Sequence, residues 1–195
     1  SSSGRIANSL TSAFQKNHKP RAAFDGLGRY HPGMESAALL SPIIERVRES
    51  AHSGHALRIR GGGTKDFVGG ASAASGHAER LDMRGYVGVV DYEPSELVVT
   101  VRTGTPLAEL EAELASRGQC LPFEPPRFTV GGTVGGTVGG MVACGLSGPA
   151  RASVGAVRDY VLGIEIINGK GELLRFGGQG VKNVAGSDVS RRRAG

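Results

Sequence analysis

The chain has no tryptophan, two cysteines, and ten aromatic side chains, six Phe and four Tyr, among 195 residues. Cys120 and Cys144 lie far apart and lack the C-x-x-C spacing of a zinc or redox pair. Two separated thiols suit a reducing cytoplasm and are expected to be free and buried. No apolar run reaches the roughly 18 residues a spanning helix needs, and no basic-then-apolar signal peptide opens the chain. The net charge of +5 is spread along the sequence, with Arg191-Arg192-Arg193 near its end. Without a basic stripe interleaved with aromatics, nothing marks a nucleic-acid surface. The five histidines, Asp82, Asp91 and Glu124 show neither metal-ligand spacing nor a nucleophile partner. No catalytic residue can be named from them.

Two common nucleotide signatures also fail. In G-x-G-x-x-G, Gly61 and Gly63 require a third glycine where Asp66 stands, and the later glycines are spaced G-G-x-x-G-G. The phosphate-loop pattern G-x-x-x-x-G-K-[ST] does not occur.

Glycine is what the chain has in excess: 32 residues, against a usual share of roughly 7%. They cluster. Arg60-Gly61-Gly62-Gly63-Thr64-Lys65-Asp66 follows the strand-like Ala56-Leu57-Arg58-Ile59, and three Thr-Val-Gly-Gly units fill residues 129–140. Such runs are tolerated where the backbone must take positive φ or approach something closely. Successive bare N–H groups can turn inward to hold an anion, and a diphosphate fits that description. Both stretches are therefore expected to present amides to a nucleotide cofactor, with Lys65 or Arg60 adding charge. Thr137-Val138-Gly139-Gly140 leads into Met141-Val142-Ala143, which suits a buried helical turn. A flexible connector is the plain alternative for either stretch.

Around these loops the periodicities predict an α+β chain without βαβ alternation. Residues 1–33 show no period and read as a poorly ordered leader, with Met34 a natural start. Leu39, Ile43, Val47 and Ala51, with Leu40 and Ile44 beside them, mark a helix that Ser41-Pro42 should begin and Gly54 should end. Tyr86–Tyr92 and Leu97–Arg102 predict an antiparallel pair. Thr105 and Pro106 should cap a helix with Leu107, Leu110 and Leu114 buried, closed by Gly118. Val161–Asn168 and Glu172–Phe176 predict a hairpin turning at Asn168-Gly169.

A family resemblance rests on several ordered motifs. Leu57–Phe67 resembles the pyrophosphate loop of the vanillyl-alcohol-oxidase/p-cresol-methylhydroxylase (PCMH) class of FAD domains, and within that class the chain looks like an FAD-binding subunit of bacterial glycolate oxidase. Tyr92–Val101, Gly104–Leu110, Leu121–Pro126, Gly145–Arg151, Val157–Gly163 and Lys182–Gly186 point the same way. The resemblance implies a two-lobed FAD domain over residues 34–195, with lobe one at about 34–95 and lobe two at about 96–195. It implies a diphosphate on Gly61 to Asp66. The flavin would be flanked by Thr137, Val138, Gly139 and Gly140 and by Gly145, Ser147, Gly148 and Gly155. Relatives that attach FAD covalently often use a histidine where Thr64 stands, so non-covalent FAD is implied. So are a small 2-hydroxy acid substrate and two partners, a sister flavoprotein subunit and an iron–sulfur subunit. A cytoplasmic location follows, with any membrane association through those partners.

The departures are three Thr-Val-Gly-Gly units where relatives usually have one, Ser187 where they have tyrosine, and Arg192-Arg193 in an apolar continuation. The resemblance implies a further strand and a substrate-cap domain, so the domain is expected to be incomplete at its C-terminus. A non-catalytic assembly subunit, or a degenerate fragment that keeps the fold without flavin chemistry, is the alternative.

Overall fold

The computed structural model describes residues 23–24, 30–31, 34–67, 78–130 and 133–177. Residues 1–22 of the expected leader, Lys182–Gly186 and Arg191–Arg193 lie outside them. Two compact units result, Ser1–Ala38 and Leu39–Gly195. In the first, β1 (Ala23–Phe24) pairs antiparallel with β2 (Tyr30–His31). The expected lobe boundary near residue 95 falls inside the second unit.

Helix α1 spans Met34–Ser53, so Pro42 sits inside it rather than at its first turn. Ala37, Ala38, Leu39 and Leu40 are strong helix formers that carry the helix through. Proline removes one donor, the one that would reach the Ala38 carbonyl. The expected apolar stripe holds along its middle and fails at its two ends. Leu40 is buried and Ile43, Ile44 and Val47 are half-buried, while Leu39 and Ala51 face outward. Gly54 ends the helix at φ +73°.

Strand β3 (Leu57–Arg60) pairs in parallel with β4 (Glu79–Asp82), matching Arg60 with Asp82. Periodicity missed β4. Its Glu-Arg-Leu-Asp carries a single apolar side chain, Leu81, which is buried. Strands β5 (Val89–Glu93) and β6 (Val98–Val101) form the expected antiparallel pair. Helix α2 (Leu107–Ala115) buries Leu107, Leu110 and Leu114 as expected.

Thr105 does not cap α2. Pro106 holds that position, and no side chain closes the helix start. The Thr105 hydroxyl, 1% exposed, accepts from the Gly88 amide at 2.9 Å and donates to the Gly88 carbonyl at 3.4 Å. It therefore ties the α2 entry to the turn before β5. Thr105→Val keeps the shape and orphans the Gly88 amide. The expected cost is about 1–3 kcal/mol, read as a lower urea midpoint at unchanged slope. An unchanged midpoint would mean that another acceptor serves Gly88.

Strands β7 (Phe128–Val130) and β8 (Thr133–Gly135) pair antiparallel, followed by α3 (Val138–Cys144), α4 (Arg151–Val154) and α5 (Val157–Tyr160). The last described hairpin joins β9 (Gly163–Ile167) to β10 (Leu173–Gly177). Its turn is longer than Asn168-Gly169 suggests, and the left-handed glycine is Gly171, φ +72°. The Asn168 side chain organises the turn, accepting from the amides of Lys170 and Glu172 at 2.9 and 3.0 Å.

Leu107, Phe123, Met141 and Val157 form the core cluster that fixes α2, α3 and α5 to one another. Each such buried side chain contributes about 1.5–3 kcal/mol relative to exposure. Neither thiol is buried as expected: Cys120 is exposed and Cys144 half-buried. No helix among the described residues is long and apolar enough to cross a membrane.

Candidate cofactor site

Both parallel strands, β3 and β4, end on the same side, where ligands of open sheets tend to gather. The Met83 amide donates to the Arg60 carbonyl at 2.9 Å, extending their ladder by one step. Past Arg60 the chain leaves the ladder and enters the first glycine loop. Gly63 takes φ +72°, a conformation open to glycine at little cost, and the Asp66 amide returns to the Gly63 carbonyl at 3.4 Å.

The second glycine stretch is not one loop. Its first two Thr-Val-Gly-Gly units build the β7–β8 hairpin, whose register sets Val130 opposite Thr133. Gly131 and Gly132, between them, lie outside the described residues. The third unit caps α3: the Thr137 hydroxyl accepts from the Gly140 amide at 3.2 Å.

The two stretches run antiparallel against each other. A Cβ on Gly61 would strike the Thr137 hydroxyl, and one on Gly62 would lie 3.7 Å from the Gly136 nitrogen. One on Gly135 would lie 3.3 Å from the Thr64 methyl, and one on Gly136 3.7 Å from the Lys65 ammonium. Phe67 meets Phe128 edge to face at 5.1 Å, and the Lys65 ammonium sits 5.8 Å from the Phe128 ring centre. Thr64 and Thr137, both buried, stand in this contact.

Their hydrogen bonding differs sharply. The amides of Val138 and Gly139 donate to the carbonyls of Thr105 and Thr103 at 2.9 and 2.8 Å, and that of Gly140 to Thr137. The sequence expected α3 amides open to a ligand; the Thr103–Thr105 segment takes them instead. The glycine at 139 is needed for that approach, since a Cβ there would come within 2.8 Å of the Thr103 Cβ. In contrast, among the described residues the amides of Gly61, Gly62, Gly63, Thr64 and Lys65 donate to no protein acceptor. Five donors beside an ammonium group are the right chemistry for a doubly charged diphosphate. Among the described residues, Gly61–Lys65 thus keep their amides free of protein acceptors, whereas Val138, Gly139 and Gly140 spend theirs inside the fold.

Arg60, the other cation the sequence offered, is engaged within the protein. Its guanidinium pairs with Asp66, Nη2 to Oδ2 at 2.5 Å and Nε to Oδ1 at 3.3 Å. That hydrogen bonding holds the Asp66 carboxyl below the usual carboxylate range, against the opposing push of burial. Nearby, Arg84 holds Asp82 well below it in the same way.

The segment Gly145–Gly155 is drawn into the fold on its own terms. Gly145 ends α3 in the left-handed region. The Ser147 hydroxyl accepts from the Val157 amide at 3.1 Å, and the Gly148 amide donates to the Phe123 carbonyl at 3.0 Å. A Cβ on Gly155 would meet the Asp159 carboxylate at 2.9 Å. Among the described residues, no hydrogen bond or ion pair joins these residues to Gly61–Lys65. Two grooves also lie apart from the glycine loops, one of about 650 Å³ around Arg46, His52 and His55, and one of about 500 Å³ around Gln119, Cys120 and Arg127. The Thr103 and Thr105 carbonyls and β4 were missed by sequence reasoning. The short polar Thr103-Gly104-Thr105 before α2 was the only available hint.

Comparison with known proteins places this geometry in context. Residues 40–177 match the family described as FAD binding domain. Over 153 residues the chain is 47% identical to glycolate oxidase subunit GlcE of Escherichia coli (strain K12), covering 78% of this chain and 41% of that protein. Over 106 residues it is 29% identical to glycolate oxidase subunit GlcD of Bacillus subtilis (strain 168), covering 53% of this chain and 21% of that one. Among solved structures, an alkyldihydroxyacetonephosphate synthase superposes on 80% of this chain and 27% of its own, with TM-score 0.61 at 19% identity. The chain therefore spans about two fifths of the E. coli relative.

Proposed function

The chain belongs to the FAD binding domain family, and from that premise we propose that residues 61–65 hold the diphosphate of a non-covalently bound FAD. The observation that carries this reading is the row of five amides that meet no protein acceptor among the described residues, beside the Lys65 ammonium and against Gly136 and Thr137. Thr137, Val138, Gly139 and Gly140 act as a rigid wall rather than as donors. Gly145, Ser147, Gly148 and Gly155 are assigned to the flavin side, where their fixed backbone supplies shape. Thr64 stands where a covalent attachment would need a nucleophile such as histidine, which is why the attachment is non-covalent.

The wider reading is a part of a flavin-dependent 2-hydroxy-acid oxidase subunit, with glycolate as substrate. It rests on the likeness to the two glycolate oxidase subunits. Bound flavin supplies the two-electron acceptor for oxidation of the hydroxy acid, and the protein supplies position and electrostatics. A sister flavoprotein subunit and an iron–sulfur subunit would take the electrons onward, in the cytoplasm, with any membrane association through them.

The test is the colour of the purified chain and its uptake of added FAD. Yellow protein that releases all its flavin on acid precipitation supports the reading. Flavin retained by the precipitate would overturn the non-covalent part. Colourless, cooperatively melting protein that takes up no FAD would favour the assembly subunit.

A further inference from the structure

Arg60 is the last residue of β3, and its partner Asp66 lies six residues on, across the diphosphate loop. The guanidinium runs over the loop itself. A Cβ on Gly63 would come within 2.7 Å of the Arg60 Cζ and 2.8 Å of its Nε. Arg58 reaches the same carboxylate from β3 at 3.8 Å. On β4, Arg80 and Arg84 are taken by Asp82, at 3.2 and 2.6 Å, so neither replaces Arg60 as the partner of Asp66. The glycine-rich segment is thus closed at both ends by one planar, two-point contact beneath which Gly63 turns.

We propose that Asp66 is a positioning residue: through Arg60 it straps the loop into the shape in which the five amides meet no acceptor among the described residues, and it keeps Arg60 off the diphosphate. This rests on the FAD reading above. A loop of three glycines loses much conformational entropy on ordering. A strap that orders it beforehand lowers the cost that falls on binding. The guanidinium suits this task because its planar fork meets a carboxylate at two points.

The strap and plain electrostatics predict opposite signs for one substitution. Asp66→Asn removes a negative charge beside a dianion. If Arg60 were a phosphate ligand restrained by Asp66, the change would tighten FAD binding. The strap requires it to weaken.

Titration of the flavin fluorescence of FAD with the full chain, wild type and variants, decides between them. Asp66→Asn should weaken binding about fivefold, the scale of a partly exposed charge pair. Asp66→Glu should recover most of the loss. Arg60→Gln should match Asp66→Asn without flattening the salt dependence of binding, since no Arg–phosphate contact is lost. The double variant should bind no worse than either single, because both break one unit. Equal or tighter binding by Asp66→Asn, or a flattened salt dependence in Arg60→Gln, overturns the strap while leaving the FAD reading intact. A wild-type chain that binds no FAD overturns that reading first, and the strap falls with it.

Discussion

Gly61→Ala is expected to weaken FAD binding by about tenfold or more, and Thr137→Ala in the same chain should restore most of it. The added methyl would strike the Thr137 hydroxyl and lie 3.2 Å from its methyl and 3.3 Å from its Cβ. Thr137 has little room to retreat. Its hydroxyl accepts from Gly140, its carbonyl accepts from the Met141 amide at 2.9 Å, and its backbone bridges to Pro106. The first loop must therefore give way, which parts Gly62 from Gly136 and Lys65 from its place over the wall. Overpacking of this kind costs about 1–3 kcal/mol, enough to misplace the five donors. Thr137→Ala removes both clashing groups, at the cost of an N-cap worth about 1 kcal/mol. Thr137→Ser removes only the methyl, so it should not rescue. FAD titration with a parallel thermal melt separates the effects. Gly61→Ala should change binding most, and Thr137→Ala alone should mainly lower the melting temperature. If Gly61→Ala binds FAD like the wild type, the two stretches do not depend on each other.

The donor loop was legible because its composition states a backbone requirement directly. A strand running into Gly61-Gly62-Gly63-Thr64-Lys65 has few uses other than presenting amides, and among the described residues those amides meet no protein acceptor. The Thr-Val-Gly-Gly repeat was legible only in part. Three identical units looked like one glycine loop, yet two of them pair as β7 and β8 and the third caps α3. Nothing local distinguishes the units; their distances from the anchored α3 do. Strand β4 was illegible for a different reason. Its side chains are mostly charged, and it exists because β3 offers it a parallel ladder, a non-local cause that no period reveals. Thr105 shows the same limit. Serine, threonine and asparagine before a proline read as caps, and only the packed structure shows the Thr105 hydroxyl bound to Gly88 instead.

Gly104→Ala should be the most destabilising single methyl in the described fold, at about 3 kcal/mol. The reason is space, since Gly104 does not lie in the left-handed region. Its Cβ would land on the Met83 carbonyl and 2.6 Å from the Tyr86 carbonyl. Both obstacles are backbone, so no rotamer relieves them. Nor can the turn yield freely: Met83 donates to Arg60 at the end of β3, Tyr86 donates to Met83 at 3.0 Å, and Gly104 itself donates to Tyr86 at 2.8 Å. On the other side, Thr103 and Thr105 accept from the first amides of α3, and Thr105 holds Gly88. Displacing residue 104 therefore disturbs the β3–β4 edge, the β5 entry and the α3 start together. Gly85→Ala, with open space around it and no positive φ, is the control and should stay within about 0.5 kcal/mol of wild type. Urea unfolding of both variants gives the answer: the Gly104→Ala midpoint should fall by about 1 M, with FAD affinity dropping alongside it. Matching midpoints for the two variants would mean that the Met83–Tyr86 turn moves freely, and that the donor loop and its wall are not joined through Gly104.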